Sequence, residues 1–186
     1  MPNAPSYILG KQRIQDRKPR YHALKDGLLF KATHQTPGTA VTGQTSFVAT
    51  TPTFLMQTSA DTRRIVGLSL WLSQAGTVAG GTIDIVLAID TAARYSSGGT
   101  AVTPQNSNTD NTTASGADFY YNPTASAAGS GTRYIWASTV SASLGTVTTY
   151  DFEDGLGVGT TGSILVYTWA ATTGPTWRFG AEWLEE

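Results

Sequence analysis

The stretch that decides the fold is Gly162–Glu186, GSILVYTWAATTGPTWRFGAEWLEE. Two strand-like runs, Ser163–Trp169 and Thr176–Leu184, flank a loop carrying a Gly174-Pro175 turn signal. In the second run Trp177, Phe179, Ala181 and Trp183 alternate with Arg178, Gly180 and Glu182. Successive strand residues point to opposite faces, so this alternation predicts a half-buried strand. The first run is apolar on both faces, Ile164 and Val166 on one, Leu165, Tyr167 and Trp169 on the other. A strand of that kind needs cover on both sides. One cover is the domain's own core; the other is a second layer or another subunit. The runs read as a hairpin at the centre of a β-sandwich. The Leu165/Tyr167/Trp169 face is expected at a subunit interface.

Upstream segments repeat the pattern. Arg63–Gln74 places Val66, Leu68, Leu70 and Leu72 on one face and Ile65, Gly67, Ser69 and Trp71 on the other. Trp71, opposite a Leu stripe, is a second candidate for an oligomer interface. Thr82–Asp90 turns Ile83, Ile85, Leu87 and Ile89 inward, and with 64–73 reads as an antiparallel hairpin across a Gly-rich turn. Gly27–Ala32, Thr45–Thr50 and Thr53–Thr58 are shorter strands; Pro52 breaks the last two, because it cannot donate to a ladder. Thr132–Val140 reads with Tyr134 and Trp136 on one face, and Thr146–Phe152 with Tyr150 and Phe152 on one face. Between Thr82–Asp90 and Thr132–Val140 lies a long irregular section, 92–131, in which Thr100–Thr103 and Ala117–Tyr121 pair briefly. No long amphipathic helix is present. The expected fold is all-β: a two-sheet antiparallel, jelly-roll-like sandwich over 21–186, preceded by an extended basic arm, 1–20.

Composition narrows the function. Charged residues are 13% of the chain, about half the ~25% usual in globular domains. Thr, Ala, Gly and Ser take their place. Such a surface suits a protein packed against neighbours more than a monomer kept apart by charge. Net charge is −1 but unevenly divided. Residues 1–31 carry seven basic residues against two acids, a net of +5; the remainder carries five Arg against eleven acids, a net of −6. The arm residues Lys11, Arg13, Arg17, Lys18 and Arg20 are therefore expected to bind an acidic protein surface. Their charge is sparser than nucleic-acid arms usually carry, which argues against nucleic acid. No signal peptide follows Met1-Pro2-Asn3, and no apolar run is long enough to span a bilayer.

Sites of chemistry are poorly supported. Cys is absent, which removes disulfides and thiolate ligands. His22 and His34 stand near no nucleophile motif, and no Gly-x-Ser-x-Gly, phosphate loop or His-Glu-x-x-His occurs. Asp84 and Asp90 are too far apart along one strand for a glycosidase pair. Asp151, Glu153 and Asp154 read as a solvated acidic turn, without EF-hand spacing. No cofactor or metal is expected, and no enzymatic activity. Trp71, Tyr95, Tyr120, Tyr121, Trp136 and Trp169 could instead line a sugar groove if they share a face.

The run Arg94–Asn106, RYSSGGTAVTPQN, resembles minor structural proteins of tailed-bacteriophage heads, and the Ala/Ser/Gly-rich segment and aromatic strand after it are similar in style. The resemblance covers roughly residues 60–186. It implies a head decoration, or cement, protein: a jelly roll that trimerises on the capsid surface, with an arm running over the shell. The implied partners are the major capsid protein and the chain itself, and the implied location is the virion, after synthesis in the host cytoplasm. Two alternatives stay open, a receptor- or carbohydrate-binding sandwich of a fibre or spike, and a small-virus jelly-roll coat protein.

Overall fold

The computed structural model describes residues 19–58, 63–76, 79–152 and 156–186. They begin with helix α1 (Pro19–Asp26), followed by β1 (Leu29–Thr33), β2 (Val41–Thr42), β3 (Phe54–Thr58), β4 (Ile65–Gln74) and β5 (Ile83–Asp90). An excursion then carries β6 (Tyr95–Ser97), β7 (Thr100–Val102), β8 (Gln105–Asn106), β9 (Ala117–Tyr121) and β10 (Thr124–Ala125). The chain returns through β11 (Arg133–Val140), β12 (Val147–Asp151), β13 (Gly157–Val158), β14 (Ser163–Trp169) and β15 (Thr176–Glu185).

Two antiparallel sheets face each other. The first runs β12-β4-β15-β1-β8, with β13 on β4 and β2 on β15; the second runs β11-β5-β14-β3-β9-β7. Set aside the excursion and the two-residue strands β2 and β13. What remains is β1-β15-β4-β12 against β3-β14-β5-β11, which is the strand order of a jelly roll. The excursion leaves after β5, adds β8 beside β1, and adds β9 and β7 beside β3. One side of the sandwich is thereby widened. The other side ends on β11 and β12.

The expected hairpins are corrected. β14 pairs with β3 and β5, while β15 pairs with β4, β1 and β2. β4 and β5 likewise sit in opposite sheets. Each of these strands has an apolar face to bury. Crossing the sandwich lets both apolar faces meet in one core, which edge-to-edge pairing would not do. The expected strand at 45–50 is absent; that segment forms turns.

The core matches the alternation. Ile164 and Val166 meet Phe54, Leu68, Leu70, Leu72, Phe179, Trp177 and Trp183 between the sheets. Rings step across it, Phe54 to Phe179 at 4.7 Å, Phe179 to Phe119 at 5.6 Å and Phe119 to Trp183 at 6.3 Å. Trp177 donates its indole N–H to Thr168 Oγ1 at 2.9 Å, and Thr168 in turn bonds Thr53, so no polar tip is stranded there.

Two bulges change faces that a strict period of two assigns otherwise. Gly67 (φ +69°) is skipped in the β4–β15 ladder, so Ile65 turns into the core and Val66 out of it. In β11 the register slips between Tyr134 and Trp136. Tyr134 then faces outward, while Trp136 packs inward on Tyr150 at 4.1 Å.

Helix α1 replaces the last two residues of the expected arm. It starts on Pro19, whose missing N–H is an unused donor at a helix start. It ends in a Schellman cap: Gly27 (φ +74°) bonds Leu24 O, and Leu28 N–H reaches Ala23 O at 2.7 Å.

Candidate interaction surface

The excursion supplies the second cover that β14 needs. Leu165 and Tyr167 are 0% and 2% exposed, packed with Leu55, Ala88 and Ala125, and with Tyr95, Tyr120 and Trp169 at the margin. Tyr95 stacks on Tyr120 at 4.1 Å, and the 43–50 loop adds an acceptor, Ala49 O, for the Tyr167 hydroxyl at 2.9 Å. The expectation that Leu165 and Tyr167 form a subunit interface is therefore corrected: the chain covers both itself. Of that trio only Trp169 keeps an accessible ring.

Two buried carboxylates fasten the excursion, one at its ends and one near its middle. Asp90 Oδ2 accepts from Arg94 Nη1 at 2.8 Å, and the same guanidinium bonds Ser126 O and Thr132 Oγ1. Burial pushes the Asp90 carboxyl up. The Thr132 hydroxyl, the Arg94 guanidinium and the Ala92 N–H outweigh that and hold it below its ordinary range. Near its middle Glu185, 1% exposed, accepts from Gly116 N–H at 2.8 Å, Trp183 Nε1 at 2.9 Å and Arg63 Nη1 at 3.2 Å.

The uncovered apolar surface lies on the side away from the excursion. Among the described residues the exposed large hydrophobics are Leu24, Phe47, Val48, Trp71, Tyr134, Ile135, Leu144 and Val147. All but Leu24 and Val48 gather around the β11/β12 side. Tyr134 and Ile135 are on β11, Leu144 is in the connecting loop, and Val147 begins β12. Trp71 stands beside Thr149 of β12 across the ladder. Phe47 packs on Tyr134 at 5.9 Å and on Trp169 at 5.4 Å. Residues 134–150 contain no charged side chain. Exposed apolar residues scattered singly mean little, whereas a contiguous group marks a contact surface.

This surface has two flanks. Phe47, Tyr134 and Trp169 lie on the outer face of the second sheet. Trp71 and Val147 lie on the outer face of the first. Trp71, expected at an interface, is 37% exposed and lies over Gly180, whose lack of a Cβ leaves room for the indole.

Of the expected arm residues, Lys11, Arg13, Arg17 and Lys18 lie outside the described residues. Arg20 is on α1 and is held on the body: its Nη2 is 2.7 Å from Glu182 Oε1 and 2.6 Å from Ser69 Oγ. Ser69 Oγ donates a hydrogen bond to Asp151 Oδ1 at 2.9 Å, and Lys31 Nζ reaches Glu182 at 3.1 Å. Glu153 and Asp154 also lie outside the described residues. A Pro19-to-Gly27 spacing was the signal that could have located this helix in the sequence.

His34 joins a structural contact: its Nδ1 lies 3.0 Å from both the N and the O of Thr36, and its Nε2 lies 2.9 Å from the Tyr121 hydroxyl. Among the described residues no three His, Asp or Glu side chains group as metal ligands. An open cleft of about 290 Å³ beside α1 is lined by Leu24, Lys25, Ser107, Asn108 and Thr109. Among the described residues no helix is long and apolar enough to cross a membrane.

No family model and no curated protein matches the chain. Among solved structures, a chain in the crystal structure of the T13 IBDV viral particle is similar with a TM-score of 0.38 and 14% identity. The match covers 84% of this chain and 30% of that one, so this chain spans less than a third of its length.

Proposed function

We propose that the protein is a structural virion protein, a decoration or cement protein that binds the outside of a capsid shell as a homotrimer and stabilises it. The observation that carries this reading is the apolar, charge-free surface along β11 and β12, on a body whose core is already complete. A protein with a closed core has no internal need for such a surface; it is useful for packing against other chains. The resemblance of Arg94–Asn106 to phage head proteins supports the same reading. The basic segment Lys11–Lys18 is proposed as the clamp on the major capsid protein. Stabilisation then follows from mass action, because a partner that binds only the assembled shell opposes its disassembly.

The test is co-sedimentation with capsids stripped of decoration. The full chain should pellet with the shells and raise their thermal disruption temperature. A chain lacking residues 1–18 should fold with an unchanged melting temperature and pellet poorly. Equal capsid binding by the two forms would remove the arm's role, and no binding by either would remove the function.

A second reading is favoured by one observation. Phe47, Tyr134 and Trp169 form an exposed aromatic group, with Asp84 beside Trp169 across the ladder and bonded to Thr139 at 2.9 Å. Aromatic faces flanked by a carboxylate suit a sugar ring. Glycan-array binding that disappears in Trp169→Ala would establish it.

A further inference from the structure

The basic arm is rooted on the body through Arg20, and the geometry of that root bears on where the arm runs. We infer that the chain before Pro19 continues across the outer face of the first sheet, with Lys18 over the Trp71 ring and Asp16 beside Arg178. Joined to the decoration reading, on which this step rests, that narrows the clamp. The part of the arm left to reach a shell is residues 1–13, with Lys11 and Arg13 as its basic residues.

Cross-strand register divides this face into rungs. Ser69 and Glu182 stand side by side on the first, Trp71 and Gly180 on the second, Ser73 and Arg178 on the third. Val147 of β12 extends the third. The first rung is filled, because Arg20 Nη2 lies 2.7 Å from Glu182 Oε1 and 2.6 Å from Ser69 Oγ. The second is a platform. Its indole lies over Gly180, so one side rests on backbone and the other meets water. On the third, Arg178 is exposed and makes no ion pair among the described residues.

Helix α1 gives the direction. Its C-terminal end is held near β1 and β8, where Gly27 O accepts from Asn106 Nδ2 at 2.8 Å. Its first turn is held at β15 and β4 through Arg20. In the sheet order β12-β4-β15-β1-β8, the helix read backwards therefore heads towards β4 and β12. Along the strands it passes from the level of the Leu29–Leu184 pair to that of Glu182, and the next rung on that line is that of Trp71. The opposite direction meets Val66 and Leu184, which offer neither a ring nor a charge.

Spacing and chemistry agree with this course. The residue before a proline is disfavoured in the helical region, so Lys18 enters the helix from an extended conformation. An extended chain advances about 7 Å every two residues, the same step that separates same-face residues of a strand. With Arg20 on the first rung, Lys18 meets the second and Asp16 the third. Lys18 brings an ammonium to the open side of an indole. Asp16 brings a carboxylate to an unpaired guanidinium. One exposed contact of this kind is small against the core, so it is read in local proximity rather than in melting temperature.

Disulfide trapping in the full chain tests the inference. The chain has no Cys, so two introduced thiols are the only ones present. Gln15→Cys with Val147→Cys should close to an intramolecular disulfide under copper–phenanthroline. It should do so at least about tenfold faster than Gln15→Cys with Val66→Cys, because docking raises the effective concentration. Val66 lies on the far side of the first rung, and each rate is corrected for the thiol's own reactivity with N-ethylmaleimide. Arg178→Asp should slow the Val147 reaction, and adding Asp16→Arg should restore it. Arg178 and Val147 are exposed, so these variants should keep the wild-type circular dichroism spectrum. Equal rates for the two cysteine pairs overturn the inference, as does a rate indifferent to both charge changes. Capsid co-sedimentation separates this from the function: fast trapping at Val147 by a chain that never binds shells refutes the decoration reading alone. Where shells do bind, Lys11→Glu with Arg13→Glu should abolish pelleting and Lys18→Met should not; the reverse pattern overturns the inference.

Discussion

Arg94 and Asp90 form an ion pair with Nη1 2.8 Å from Oδ2, and both side chains are nearly inaccessible to water. Through it the start of the excursion is tied to Ser126 and Thr132 near its end. The pair thus holds in place the layer that covers Leu165 and Tyr167. Breaking a buried pair by removing one partner strands the other charge. Arg94→Met should cost about 3–5 kcal/mol in urea unfolding. Hydrogen exchange should rise across 92–132 before it rises in β14. Uniform loss of protection in both would show that the excursion is not a separable layer.

The same carboxyl gives a pH signature. Asp90 is held below its ordinary value in the fold, with Thr132 and Arg94 outweighing burial. A group depressed in the folded state stabilises it above the unfolded value of about 3.9. That contribution is lost as pH falls through the lower folded value. Melting temperature should therefore drop below about pH 4, and Asp90→Asn, less stable at neutral pH, should show a shallower acid drop. Parallel acid profiles for the two proteins would assign the drop to other carboxylates.

Tyr150 and Tyr167 separate two effects of burial. Burial pushes both hydroxyls up to about 12, above the unfolded value of about 10. The raised group is protonated in both states below pH 10, so it adds no pH dependence there. Between about pH 10 and 12 the unfolded chain gives up its proton first, and stability falls. Phenylalanine at either site should reduce that alkaline loss. Their neutral-pH effects should differ. The Tyr150 hydroxyl faces Ser138 and Thr148 without meeting hydrogen-bond geometry, so Tyr150→Phe should be neutral or stabilising by up to about 1 kcal/mol. Tyr167→Phe loses the bond to Ala49 O and should cost about 1 kcal/mol.

Trp71 and Gly180 make a contact that no larger residue allows. A Cβ on Gly180 would overlap the six-membered ring of the indole. Gly180→Ala should push Trp71 off the sheet, cost about 1–3 kcal/mol and red-shift its fluorescence. An unchanged emission spectrum would mean that the ring already stands clear.

These residues show what the sequence could and could not disclose. Period-two alternation located β5, β12, β14 and β15 and sorted most of their faces correctly, because burial acts residue by residue. Pairing was not legible. Ser163–Trp169 and Thr176–Leu184 are neighbours in sequence but join different sheets, a choice made by the whole core. The bulges at Gly67 and between Tyr134 and Trp136 reversed faces beyond them, and nothing local distinguishes such a slip from regular alternation. The cover over Leu165 and Tyr167 was hidden for another reason. It is built from a polar excursion whose apolar contribution is little more than Tyr95, Tyr120 and Ala125. Helix α1 carries no apolar stripe, so only its termini betray it.

Glu185 offers the strongest test of how the C-terminal strand and the excursion depend on each other. Its carboxylate, 1% exposed, accepts from Arg63, Trp183 and the Gly116 backbone, and from the Ser115 hydroxyl. Gly116, Trp183 and Arg63 can only donate, so an amide N–H₂ meets a donor on either side of the group. Glu185→Gln keeps the shape but sets the amide N–H₂ against at least one donor and removes the charge that faces Arg63. Hydrogen bonds to a charged group are worth about 1.5–3 kcal/mol, and leaving partners unsatisfied adds to the loss. The variant should unfold about 2–4 kcal/mol more easily. Because Ser115 and Gly116 lead into β9, exchange should rise at 115–121 as well as in β15. Exchange confined to β15 would mean that β9 is held by β3 alone, and that the last strand does not anchor the excursion.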